Sequence, residues 1–399
     1  MEHWSFHKTV CKETPTYKAN QEVLGEKETL EEQELALGVD HLTTLRTVNR
    51  IGILLRQQGK LKEAEPFFRR ALECTERTLG RNHPNTFIAV NNMGRLLQDL
   101  GKLDLAEPLF RRALEESERT LGRDHQHTLA AVNNMGSLLQ DQGQLKEAEP
   151  FYRRSLEGQE RTLGHNHPDT LSAANNMGLL LRAQGKLSLA EPFFRRYLEG
   201  TERTLGRDHP ETFIAVSNMG GLLRDLGKLN EAEPLFRRAL EGYERTLGRD
   251  HPETLTAVNN MGSLLREQGK LSLAEPFFRR ALEGRERTQG RDHSNTLMAV
   301  NNLGGLLREL GKLKEAEPFL RRALEESERT LGRDHPLTLM AVNNMGMLLK
   351  NQGKLKEAET LFRRALEGRE RILGSEHPHT CNSSRNLRLL LEELERRVK

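Results

Sequence analysis

Apolar residues recur along this chain as two alternating stripes at helical spacing. Val90, Met93 and Leu97 lie at i, i+3 and i+7, and beyond Gly101 a second set, Leu103, Ala106, Phe110, Ala113 and Leu114, keeps the same spacing. Each stripe predicts one amphipathic helix. The pattern returns every 42 residues with nothing inserted or deleted: the second Asn of the first stripe stands at Asn92, Asn134, Asn176, Asn218, Asn260, Asn302, Asn344 and Asn386, with Arg50 one period earlier. A fixed period of that size predicts a solenoid in which each unit packs only on its neighbours. The 399 residues therefore read as one elongated array of helix pairs.

Full units open near Thr43, Asn85, His127, Asp169, Glu211, Glu253, Asn295 and Leu337, giving eight repeats over residues 43–374. Residues 1–21 do not match the repeat and are expected to form a flexible leader; residues 22–42 align with the second half of a unit as a single helix. Residues 375–399 read as a capping helix, because Arg388 stands where earlier units have Gly94 and Gly136, and no second stripe follows. Within a unit, Gly101 and its equivalents end the first helix through a positive φ. Pro66, Pro108 and their equivalents are expected in the first turn of the second helix, where a missing N–H costs nothing. Between units, a segment such as Gly80-Arg81-Asn82-His83-Pro84 supplies a helix stop, an Asn or His cap and a helix-starting proline.

An apolar fraction of 36% and a mean hydropathy of −0.68 would suggest disorder in an aperiodic chain. Here the register of the stripes decides for a packed array. Lys+Arg 61 against Asp+Glu 58 leaves a net charge of +3, and both signs alternate inside every unit, so no basic face suited to nucleic acid is expected. The three cysteines, Cys11, Cys74 and Cys381, sit at unrelated repeat positions, which predicts neither a disulfide framework nor a metal site. No apolar run long enough for membrane insertion and no signal-peptide pattern are visible, so a cytoplasmic location is expected.

The histidine at each linker (His41, His83, His125, His167, His209, His251, His293, His335, His377) could suggest a metal ladder. Equivalent residues of stacked helix pairs lie on the order of 8–10 Å apart, whereas zinc ligands converge at about 2 Å from one ion. Helix capping is the reading preferred. Paired arginines such as Arg111-Arg112 face Glu115 and Glu118 at helical spacing, which predicts surface ion pairs. There is no phosphate loop, His-Glu-x-x-His or Gly-x-Ser-x-Gly, and every acid recurs as a repeat element. Neither an enzyme nor a cofactor is expected.

The offsets of Met93-Gly94, Leu97, Ala106, Phe110 and Ala113 resemble the tetratricopeptide repeat rather than the HEAT repeat. Val90 stands where Trp is common, and the late Pro is replaced by a longer second helix and linker. Over residues 43–374 the Val-Asn-Asn-Met-Gly start, Gly-Lys-Leu-x-x-Ala-Glu-Pro and Leu-Gly-x-Asp-His-Pro are similar to the repeats of kinesin light chains. The resemblance implies an all-α, right-handed superhelical solenoid of antiparallel helix pairs whose first helices line a concave face.

The resemblance also turns two positions of each first helix toward that face. They are Asn91 and Asn92, Asn133 and Asn134, Asn175 and Asn176, Asn218, Asn259 and Asn260, Asn301 and Asn302, Asn343 and Asn344. Amides at that spacing can hydrogen-bond the backbone of an extended peptide; alternatively, some of them tie adjacent helices together. Two turns further on, Arg182, Arg224, Arg266, Arg308 and Lys350 would favour an acidic peptide, unless Asp225, Glu267 and Glu309 neutralise them. Arg95, Ser137, Leu179, Gly221, Ser263, Gly305 and Met347 vary one turn beyond the Asn and are where ligand side chains would be told apart.

The expected function is a non-catalytic adaptor binding extended, acidic peptide segments of protein partners. The alternatives are a cargo adaptor of a microtubule motor with kinesin heavy chain as partner, although residues 1–42 hold no three consecutive heptads, and a self-assembling structural spacer.

Overall fold

The computed structural model describes residues 15–375 and 377–398; most of the expected leader lies outside them. Among the described residues there are eighteen α-helices and no strand. A lone helix α1 (Pro15–Leu37) precedes eight pairs. These are α2 (Leu42–Gln57) with α3 (Leu61–Leu79), α4 (Pro84–Asp99) with α5 (Leu103–Leu121), α6 (Gln126–Asp141) with α7 (Leu145–Leu163), and α8 (Pro168–Ala183) with α9 (Leu187–Leu205). Next come α10 (Pro210–Asp225) and α11 (Leu229–Leu247), α12 (Pro252–Glu267) with α13 (Leu271–Gln289), α14 (Ser294–Glu309) with α15 (Leu313–Leu331), and α16 (Pro336–Asn351) with α17 (Leu355–Leu373). A last helix, α18 (Pro378–Val398), follows.

The chain divides into two compact units, the first ending at Leu222 and the second beginning at Leu223. In the first, consecutive helices pack on one another from α1 through to α9, and α4 also touches α2 and α6. In the second, consecutive helices from α11 to α18 pack in the same way, and α14 touches α16. This is the all-α solenoid of helix pairs that the period predicts.

Local chemistry accounts for the helix ends. Gly101 has φ +72° and its N–H bonds the Gln98 carbonyl, closing α4 where a side chain would be strained. The equivalent turn glycines also have positive φ. At seven of the nine linkers, a buried threonine reaches back to the glycine that ends the previous helix, as in Thr86 Oγ1 donating to Gly80 O at 2.7 Å. The prolines of the second helices depart from expectation. Because α3 begins at Leu61, Pro66 is its sixth residue, beyond the free N–H groups, and the Lys62 carbonyl loses an intrahelical donor. Both residues are exposed, so water can take that donor's place.

Glycines let the two helices of a repeat approach closely. Phe110, fully buried, lies against Gly94; a Cβ at Gly94 would come within 2.6 Å of its ring. Gly52 meets Phe68, Gly178 meets Phe194 and Gly346 meets Phe362 in the same manner. The glycine removes the spacer between two helices, and each buried ring contributes roughly 1.5–3 kcal/mol. The terminal helices lack this device. On α1, Glu22 and Glu26 occupy the positions of Ala64 and Phe68 and both reach Arg50, at 3.6 and 2.8 Å. On α18, Arg388 replaces the glycine and is exposed.

Candidate functional site

The asparagine pairs sit on the first helix of six of the eight repeats, but the structure gives them partners in the neighbouring repeat. Nδ2 of the second Asn donates to Oδ1 of the first Asn one repeat earlier: Asn92 to Asn49 at 2.8 Å, Asn134 to Asn91 at 3.1 Å, Asn176 to Asn133 at 2.9 Å and Asn218 to Asn175 at 2.8 Å. In the second unit Asn302 donates to Asn259 at 3.0 Å, Asn344 to Asn301 at 3.0 Å and Asn386 to Asn343 at 3.1 Å. The result is a directional amide ladder. Each link uses one donor group and one acceptor, leaving Nδ2 of the earlier Asn and Oδ1 of the later one without a protein partner in these pairs. Asn175, Asn259 and Asn301 are buried in the ladder, and Asn301 Nδ2 is fully enclosed with no acceptor. Asn260 lies on α12 one period after Asn218, and its first-Asn counterpart 43 residues back is Ser217.

The cations two turns on also find partners with the same register. Arg266 forms a two-pronged pair with Glu309, at 2.6 and 2.7 Å, and Arg308 reaches the same carboxylate at 3.0 Å. Arg224 faces Asp225 at 3.1 Å and Glu267 at 3.6 Å, and Lys350 faces Glu393 at 3.7 Å. Arg224, Arg266, Arg308 and Lys350 thus already hold acids of the protein itself. The guanidinium of Arg182 lies in the notch at Gly221, where a Cβ would be 3.0 Å from Nη1. Burial lowers the pKa of Arg308 and raises that of Glu267.

Toward the N-terminal end of the row the chemistry changes. Arg56 pairs with Asp99 at 2.6 Å, whereas Asp141 receives only the amide of Gln98, also at 2.6 Å. Burial, reinforced by Asp99, pushes the Asp141 carboxyl up. Ser137, one of the variable positions, accepts from Gln98 at 2.9 Å, and beneath it the Tyr152 hydroxyl is pushed up to about 12 by burial. The other variable positions differ in size as expected, from Arg95 to the small Ser263 and to Gly305, where a Cβ would meet only Asn344 Nδ2 at 3.9 Å. Met347 and Leu179 are half-buried on the same row.

Sequence reasoning missed one column. The second-helix position of Thr75 is Arg in two repeats, and both are buried: Arg285 donates to Asn295 O at 2.8 Å and Thr256 Oγ1 at 3.2 Å, Arg369 to Ser383 Oγ at 2.8 Å and His379 O at 3.0 Å. Burial holds Arg285 down at about 10. The signal was available as arginine in a column otherwise holding Thr, Ser, Gln or Tyr. At the corresponding junction between the first two repeats, where the residue is Thr75, a cavity of about 260 Å³ remains, lined by Leu45, Arg46, Asn49, Ala71 and Ile88 among others. Among the described residues no group of three or more His, Cys, Asp or Glu could hold a metal ion, and no helix is long and apolar enough to cross a membrane.

Comparison with known proteins agrees with this geometry. The tetratricopeptide repeat model matches residues 40–115, 86–157, 127–203, 211–287, 292–367 and 338–397. No curated protein is similar enough in sequence to count as a relative. Solved structures with a similar fold include the Rap protein complexed with competence and sporulation factor, at 16% identity and a TM-score of 0.55, covering 88% of this chain and 98% of that one. BtubC (BKLC) from P. vanneervenii is 20% identical over 58% of this chain and 92% of its own, with a TM-score of 0.47. TPR-like repeats assigned to a kinesin light chain of Podosopora anserina are 20% identical over 51% of this chain and 95% of theirs, with a TM-score of 0.43.

Proposed function

The chain belongs to the tetratricopeptide repeat family, and we propose that it is a non-catalytic adaptor that holds an extended peptide segment of a partner protein along its row of first helices. A scaffold for protein interaction follows from the family and from the kinesin light chain-like form of its repeats. The finer reading rests on one observation: each described ladder link leaves the half-buried Oδ1 of its later Asn uncommitted, spaced by one repeat. Such acceptors can take the N–H groups of a peptide backbone. Because Glu309, Glu267, Asp225 and Glu393 already occupy the cations, an acidic segment would have to displace them. Backbone recognition is therefore preferred here to charge recognition.

The test is capture of proteins from cytosolic extract by the full chain and by a variant with Asn175→Ala, Asn218→Ala, Asn260→Ala and Asn302→Ala, followed by mapping each retained protein with peptide arrays. Proteins and peptides lost from the variant, at unchanged helicity, support the groove. Kinesin heavy chain among them would favour the motor adaptor. Equal retention by both proteins would reject the first-helix face as the binding surface.

A further inference from the structure

The linker histidines carry a property that peptide binding does not use. In all nine, the ring Nδ1 lies 3.1–3.2 Å from the backbone nitrogen two residues on, at the first turn of the next helix: Thr43, Asn85, His127, Asp169, Glu211, Glu253, Asn295, Leu337 and His379. A backbone N–H can only donate, so Nδ1 must accept, and the ring must be neutral with its proton on Nε2. Protonation would turn the acceptor into a donor facing another donor. It would also set a positive charge at the positive end of the helix dipole, so the two effects add.

We propose that the linker histidines make the array proton-responsive: acidification through the imidazole range removes the helix caps and loosens the junctions between repeats. In the unit beyond Leu223, burial lowers the pKa of His251 and His335; His293 is lowered by burial and by Arg285 of α13, and His377 by burial and by Arg369 of α17. His379, beside His377 at a ring separation of 5.2 Å, is itself lowered by burial, Arg369 and His377. In the first unit Asp169 lies 3.7 Å from Nδ1 of His167, and His127 lies 5.2 Å from the His125 ring.

The sign follows from linkage. A histidine whose folded pKa is depressed binds its proton more readily in the unfolded chain, so its contribution is present above the ordinary histidine range and is lost as pH falls through the lowered value. Because each repeat contacts only its neighbours, the loss acts junction by junction and not as one global transition.

The experiment compares the full chain with a variant carrying His251→Asn, His293→Asn, His335→Asn and His377→Asn, since Asn caps a helix without titrating near neutral pH. Hydrogen exchange at the starts of α12, α14, α16 and α18 is read at about pH 7.5 and about pH 5.5, after correction for intrinsic rates. The protection factors of the unaltered chain should fall about tenfold, the scale of one lost cap, while the variant holds its protection. Equal losses in both proteins would overturn the proposal. Imidazole ¹⁵N spectra of the unaltered chain give an independent reading should the variant fold poorly. Nδ1 unprotonated at about pH 7.5 and protonated on acidification supports the proposal; Nδ1 carrying a proton at about pH 7.5 ends it.

Discussion

The seam inside a repeat and the seam between repeats are built from opposite materials. Inside, a first-helix glycine lets a buried ring of the second helix lie on its backbone, as Gly178 does for Phe194, and the contact is dry. Between repeats, successive first helices meet through amides and ion pairs, as Asn176 meets Asn133 and Arg266 meets Glu309. The dry seam sets how firmly a helix pair holds together. The polar one sets register, because an amide ladder out of step by one residue loses every partner, whereas apolar surface tolerates sliding.

Breaking the inner seam should cost most. Phe194→Ala removes a fully buried ring and leaves a cavity, with an expected loss of about 3–5 kcal/mol in urea unfolding. A loss below about 1 kcal/mol would mean the seam collapses to fill the space. Gly94→Val attacks the same seam by overpacking, since even its Cβ would lie 2.6 Å from Phe110; about 1–3 kcal/mol is expected from the same measurement. The polar seam yields next. Asn133→Ala strands the Nδ2 of Asn176 in the ladder, a cost of about 1–3 kcal/mol. Asn133→Asp, which keeps an acceptor at that place, should recover most of it, and failure of that rescue would show that packing, not the hydrogen bond, carries the link. Smallest is Glu309→Gln, which weakens a partly exposed pair to Arg266 by about 0.2–1 kcal/mol. That difference should vanish in high salt, unlike the Asn133 effect.

The same contrast explains what could be read from the residues alone. The inner seam was legible: stripe spacing gives the helices, Gly101 gives the turn, and a glycine on one stripe with an aromatic on the other implies close approach. The polar seam was legible only as a face. The spacing puts Asn91 and Asn92 on one side of α4, but that Asn134 bonds Asn91 depends on how neighbouring first helices lie, which no single repeat encodes. The cations and their candidate acids are both legible in the sequence, but that Arg266 pairs with an acid of the next repeat depends on how neighbouring helices lie. His83 was recognisable as a capping residue, yet which ring nitrogen accepts follows only from its place beside the Asn85 N–H. Pro66 shows the limit of boundary reading, because α3 starts earlier than the proline suggests.

The ladder has one more consequence. Every interior repeat except the fifth, where Ser217 replaces the first Asn, carries both a socket, the carbonyl of its first Asn, and a plug, the amino group of its second, in the same order. Any 42-residue block could therefore be excised or copied within a stretch of joined repeats, and the cut ends would still offer plug to socket. Within such a stretch, length can change in whole-repeat steps without rewriting a link of the ladder.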